Sequence, residues 1–217
     1  MSANYNNSAW FYDKLSALIY GRALIDAQRY LLHFIPANAN ILIVGGGTGR
    51  ILEEIAQIHP SGLKITYVEI AADMMALSKK RNAGDNQVDF INDAIENVTL
   101  SSMVDIVLTP FLFDNFNEES LCKIFNHIHS LLKADGLWLN TDFQLTGKWW
   151  QKLLLKSMFL LFKILCGIEA SKLPDIEKQF EQHGYQAIDE KTFFGDFVLS
   201  TVYNRKIQDT TDVKKHN

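Results

Sequence analysis

Cysteine is nearly missing from this chain of 217 residues: Cys122 and Cys166 are the only two. They lie far apart, with no CxxC pair and no Cys/His cluster, so the sequence offers neither a disulfide framework nor a zinc site. Proline and glycine are sparse as well, 4 and 12 residues, which excludes collagenous and low-complexity classes. An excess of positive charge is also lacking. Lys and Arg number 21 against 25 Asp and Glu, a net charge of −4, so there is no broad electrostatic footprint for a nucleic-acid backbone and no nucleic-acid partner is expected. The N-terminus, MSANYNNSAW, has neither the basic nor the apolar region of a secretory signal, and a cytoplasmic chain is expected. The most apolar stretch, residues 149–168, is interrupted by Lys152, Lys156 and Lys163, each costly at a bilayer centre, so no transmembrane segment is expected.

What remains is an ordinary globular composition, 47% hydrophobic, at the length of one domain. Short apolar runs recur along its middle: 41–44, 64–70, 88–91, 104–109 and 137–143. They read as strands, and the stretches between them as helices: 49–58, 72–81, a short turn at 94–98, and 118–132 with Leu121, Ile124, Phe125, Ile128 and Leu132 at helical spacing. Strands alternating with helices imply right-handed βαβ units and a parallel sheet covered on both faces. Residues 8–35 read as two helices broken near Gly21. Further helices are expected at 147–166 and 174–182, with Pro174 in a first turn, and then a hairpin around Gly195 and Asp196. The expected organisation is a single domain: a helical cap or lid at 1–36, a ligand-binding core at 37–146, a helical insert at 147–182, a hairpin at 183–205 and a polar tail at 206–217.

The sharpest local feature is ILIVGGGTGRIL, an apolar strand running through Gly45, Gly46, Gly47, Thr48 and Gly49 into an amphipathic helix. Such a loop permits close backbone approach to a ligand at the carboxyl end of the sheet, where a helix N-terminus also presents free N–H groups. Arg50 and Ile51 stand where a P-loop needs its last glycine and lysine. Arg50 also occupies the third glycine position of the dinucleotide fingerprint, which disfavours that reading. The GxGxG pattern at Gly45, Gly47 and Gly49 resembles motif I of the class I S-adenosylmethionine-dependent methyltransferases, small-molecule type.

Four more segments carry the same resemblance in order: YVEIAADMM, FINDAIENV, VDIVLTPFLFDNF and LLKADGLWLNTDF. It implies an α/β, Rossmann-like sheet of seven strands, mostly parallel with an antiparallel last strand, helices on both faces, an N-terminal helical lid and a helical insert after strand five. It implies S-adenosylmethionine as cofactor, held by Gly45, Gly46, Gly47 and Gly49. By the same resemblance Glu69 receives the ribose hydroxyls, Ile70 and Met74 flank the adenine, Asp93 and Ala94 meet the adenine amino group, and Thr109 lies beside the methionine moiety. One departure stands out: Ile43 occupies a position where the family usually has an acid.

The reaction implied is in-line displacement of the methyl group by an acceptor, catalysed mostly by positioning. No residue is assigned a catalytic role from sequence, although Asp114 and Asp142, past strands four and five, are the best placed carboxylates. His127 and His129 point to different faces of a helix and do not share a metal, so no metal site is expected. The aromatic N-terminus, with Tyr5, Trp10, Phe11, Tyr12 and Tyr20, resembles the lid of methyltransferases of the quinone-biosynthesis group (types 11 and 12), which points to a small, apolar or lipid-like acceptor. The helix at 147–166, with Lys148, Lys152, Lys156 and Lys163 opposite a wide apolar arc, admits three readings: a lid, a homodimer interface, or a peripheral membrane helix, with the first two favoured. The competing functions are a non-catalytic cofactor-binding protein of the same fold and a nicotinamide-dependent oxidoreductase.

Overall fold

A computed structural model describes residues 19–166 and 173–206, the side chains of 161–166 excepted. Seven strands form one sheet in the order β3-β2-β1-β4-β5-β7-β6. They are β1 (Asn40–Val44), β2 (Ser61–Val68), β3 (Asp85–Ile91), β4 (Val104–Pro110), β5 (Leu132–Phe143), β6 (Tyr185–Phe193) and β7 (Val198–Arg205). β1 to β5 pair in parallel, while β7 runs antiparallel between β5 and β6. This is the Rossmann-like sheet expected from the alternation of strands and helices, with its antiparallel last strand.

Six α-helices flank the sheet among the described residues: α1 (Ala23–Leu32), which precedes β1, α2 (Arg50–Ile58), α3 (Ala72–Ser78), α4 (Glu118–Leu131), α5 (Trp149–Cys166) and α6 (Ile176–Gln182). Each strand turns alternate side chains to opposite faces, so two cores result. Leu42, Val44, Val107 and Trp138 pack with Leu121, Phe125 and Ile128 of α4 and Phe180 of α6 on one face. Ile41, Ile43, Ile65 and Ile106 pack with Leu31 and Leu32 of α1 and Ile51, Leu52 and Ile55 of α2 on the other. Both faces of the central strands are thereby buried, which is why they read as unbroken apolar runs.

Helix boundaries follow capping chemistry. The Asn117 side chain accepts from Ser120 N and starts α4, and Asp175 accepts from Lys178 N and starts α6. Pro174 therefore precedes the cap of α6 and does not occupy its first turn, a correction to the sequence reading. The cap belongs to Asp175 because its side-chain oxygen satisfies an amide that proline cannot. Of the N-terminal aromatic segment only Tyr20 falls among the described residues. Tyr5, Trp10, Phe11 and Tyr12 lie outside them.

Candidate active site

The carboxyl ends of β1 to β5 open on the same end of the sheet, and the glycine loop lies among them. Gly45 N donates to Val68 O at 2.9 Å, joining the loop to β2 at the point where that strand ends. The loop is then clamped from three sides. Glu69 Oε2 accepts from Gly47 N at 2.9 Å, the Tyr67 hydroxyl donates to Gly47 O at 3.0 Å, and Arg81 Nε donates to Thr48 O at 3.0 Å. Its shape is therefore fixed by protein groups before any ligand arrives.

The glycines divide by what they serve. A side chain on Gly46 would begin 2.3 Å from the Tyr67 ring, and one on Gly49 would begin 2.7 Å from Ser78 of α3, so packing inside the protein demands both. Gly47 differs. It holds φ +62, and nothing lies within 4 Å of where its Cβ would stand. The loop thus keeps one bare, open position, suited to a ligand laid against its backbone. The four glycines expected to hold the cofactor therefore differ in their surroundings: a Cβ would meet Tyr67 at Gly46 and α3 at Gly49, while the position at Gly47 is open.

Glu69 is buried beside this opening, with Oε1 accepting from Ala71 N at 2.8 Å. Burial pushes its carboxyl above the ordinary range, while the amides of Ala71, Gly47 and Ile70 pull it back. Each carboxylate oxygen has one further lone pair for a ligand hydroxyl. Ile70 next to it is 48% exposed, a large apolar side chain bare at the rim, whereas Met74 is buried with Ala71. Asn92, unnoticed in the sequence, donates to Glu69 O at 2.7 Å and ties the end of β3 to that of β2.

Asp93 is exposed and stands just before the short turn at Ile95–Asn97: its Oδ1 accepts from Ala94 N at 2.7 Å and from Asn97 Nδ2 at 2.8 Å. These bonds hold its carboxyl below the usual range, the Asn97 amide foremost. The Thr109 hydroxyl is spent indoors, donating to Asn140 Oδ1 at 2.8 Å and accepting from Trp138 Nε1 at 3.0 Å. Ile43 is wholly buried in the core against α1 and α2, a position with no room for an unpaired acid.

Two carboxylates lie buried past β4 and β5. Asp142 Oδ1 accepts from Phe143 N at 2.8 Å and its Oδ2 from Phe113 N at 3.2 Å, while Asp114 Oδ1 accepts from Asn115 Nδ2 at 2.7 Å. Burial drives both upward, Asp142 to about 7, and the nearby Asp142 charge adds to the rise at Asp114. The turn carrying Asp114 touches the glycine loop, for Leu112 Cδ1 lies 2.9 Å from the place of a Cβ on Gly45. Phe111, at the exit of β4, holds φ +52, an unusual state for a bulky residue, as it swings the chain into this turn.

Above the pair is an aromatic roof. Tyr20 and Phe143 lie with ring centroids 5.8 Å apart, Tyr20 and Phe194 at 5.2 Å, and Phe111 and Phe143 at 5.0 Å. Leu155 and Met158 of α5 close it. Residues 194 and 197 belong to the turn between β6 and β7, which the sequence showed only as a hairpin signal. The sole hint was the density of phenylalanine around Gly195.

Residues 41–136 match the family model described as a methyltransferase domain. No curated protein matches the chain in sequence. Among solved structures, mitomycin 7-O-methyltransferase is similar at 17% identity with a TM-score of 0.66, over 84% of this chain and 54% of that one, so the chain spans about half of that protein's length. The 1,6-didemethyltoxoflavin-N1-methyltransferase of Burkholderia thailandensis, solved with S-adenosylhomocysteine, is similar at 15% identity and TM-score 0.65, over 92% of this chain and 84% of that one. Magnesium protoporphyrin IX methyltransferase from Synechocystis PCC 6803, also with bound S-adenosylhomocysteine, is similar at 16% identity and TM-score 0.62, over 84% and 82%.

Proposed function

We propose that this chain is an S-adenosylmethionine-dependent methyltransferase that transfers the methyl group of that cofactor to a small, apolar acceptor, a reading supported by the methyltransferase-domain match over residues 41–136 and by the shared fold. The observation that carries the reading is the clamped glycine loop, whose bare position at Gly47 opens beside the Glu69 carboxylate. Gly47 receives the cofactor against its backbone. Glu69 holds the ribose hydroxyls, and Ile70 with Met74 covers the adenine. When bound, the cofactor supplies a methyl group on a positively charged sulfur.

The chain's own residues supply orientation, exclusion of water and a place for a proton. The roof of Tyr20, Phe111, Phe143 and Phe194 surrounds the acceptor with apolar surface, which selects a small apolar molecule and keeps solvent out. An acceptor that attacks from a protonated nitrogen or oxygen must lose that proton. Asp114 and Asp142 receive it: two carboxylates buried together in an apolar setting favour one shared proton over two charges, and the charged member of the pair acts as general base.

Calorimetry with S-adenosylhomocysteine tests the cofactor site. The unmodified protein is expected to bind it, and Glu69→Ala to weaken binding by roughly 10- to 100-fold, the value of a charge-assisted hydrogen bond pair together with a loosened loop. No binding by the unmodified protein would overturn the proposal. A panel of apolar and polar acceptors with methyl-labelled cofactor then tests the acceptor, and labelling confined to polar ones would overturn that part.

A further inference from the structure

Helix α5 shows the solvent a face unlike the rest of the surface. Trp149, Leu153 and Leu160 are 76%, 59% and 61% exposed, and with Lys156 they recur every three or four residues along one line of the helix, Lys152 beside it. The opposite face is committed inward, where Gln151 is fully buried and donates to Gly195 O at 3.1 Å. The wide apolar arc of the sequence is therefore only partly a lid.

The charges on this face are of one sign. The sequence has no Asp or Glu between Asp142 and Glu169, in a chain whose net charge is −4. Lys148, at the start of the helix, is paired with Asp196 at 2.8 Å, whereas Lys152 and Lys156 stand exposed beside the tryptophan and leucines. A second copy of the chain is a poor occupant. A two-fold contact would set these lysines against their own counterparts with no acid in the helix to receive them. A bilayer surface suits both components: tryptophan and leucine enter the boundary of headgroups and acyl chains while the lysines reach anionic headgroups. None of the described helices is long and apolar enough to cross a membrane, so the contact is a peripheral one.

We propose that the Trp149, Leu153 and Leu160 face of α5, flanked by Lys152 and Lys156, docks this protein on anionic lipid surfaces. The same helix roofs the strand ends on its inner side, so docking brings the acceptor side of the site to the bilayer. The docking itself does not depend on the methyl-transfer reading, and the two fail separately, since vesicle binding is measured without cofactor.

The test is co-sedimentation with vesicles of phosphatidylcholine alone and of equimolar phosphatidylcholine and phosphatidylglycerol. The full chain is expected to bind the mixed vesicles and to bind phosphatidylcholine far less. Each lysine contributes about fivefold, so Lys152→Gln with Lys156→Gln lowers binding about 25-fold, and added salt weakens the unmodified protein likewise. Leu153→Gln with Leu160→Gln lowers binding about tenfold or more through the apolar term. Both variants change exposed side chains, and an unchanged melting temperature shows that they fold. Equal sedimentation of the unmodified and double-lysine proteins would overturn the proposal. So would failure to bind mixed vesicles, or a dimer split by Leu153→Gln, which would assign the face to a second copy.

Discussion

The glycines of the loop at 45–49 look interchangeable as letters, and their surroundings separate them. Gly46 supports the face of Tyr67 and Gly49 the backbone of Ser78, so a methyl group at either must displace packed atoms. Gly46→Ala is expected to cost about 3 kcal/mol of stability, the upper end of ordinary overpacking. Gly47→Ala costs only about 1 kcal/mol, for holding alanine at positive φ, because no protein atom stands in the way. Its methyl group instead enters the space the cofactor needs, so S-adenosylhomocysteine binding is lost while the fold persists. Denaturation midpoints and calorimetry on the two variants check this; a Gly47→Ala protein that folds and binds normally would show that the ligand does not approach there. The motif marked Gly47 as one of the glycines expected to hold the cofactor. The demands of Tyr67 and Ser78 were not legible in it, because each comes from a residue 20 or more positions away.

At the scale of elements, the ends of α4 and β7 are joined by one residue that no motif marked. Arg205, the last residue of β7, donates through Nη2 to His129 O and Leu132 O, both at 2.9 Å, and its guanidinium lies over the Tyr185 ring at 5.6 Å. It satisfies carbonyls at the C-terminus of α4, where a positive charge also suits the helix dipole. Arg205→Ala is expected to destabilise the protein by about 2 kcal/mol in chemical denaturation, and Arg205→Lys to restore less than half, since an ammonium lacks the planar fork that reaches both carbonyls. Full rescue by lysine would mean that charge alone matters. Element type was legible here: α4 and β7 arise where the apolar spacing put them. Their fastening was not, for arginine at a strand end is ordinary in sequence and gains its meaning only from the helix end beside it.

For the molecule as a whole, the buried carboxylates and His129 make stability depend on pH in opposite senses. Burial lifts Asp142 to about 7 and raises Asp114 well above its usual range, so the folded protein holds protons that the unfolded chain has released. Stability from this source grows as pH falls through about 7 towards about 4. His129 is held down to about 4 by burial and by the charges of Arg205 and His183; it stays neutral in the fold, and its contribution is lost as pH falls from about 6.5 to about 4. Among the described residues, the carboxylates of the pair face each other and the Tyr20 hydroxyl, which burial and Asp114 push upward. Above about pH 6.5 the pair acts with little opposition from His129, and stability is expected to rise as pH falls through about 7, by at most roughly 1.4 kcal/mol per pH unit for one proton. Asp114→Asn should flatten that rise, since it leaves one carboxylate with its backbone amides intact. Thermal melts across the range check this, and equal slopes in both proteins would show that the pair does not share a proton.

Periodicity and short-range backbone chemistry are enough for the alternation of strands and helices, the sheet that follows from it and the place of the glycine loop, so these were legible in the amino-acid sequence. The antiparallel last strand and the cofactor were also legible, through the resemblance of five segments taken in order. Tertiary structure alone decided which glycine stays bare, that Asp114 and Asp142 are buried side by side, that the β6–β7 turn joins the roof, and that Trp149, Leu153 and Leu160 face outward. Each of those depends on desolvation and packing between residues distant along the chain, and no local pattern carries that information.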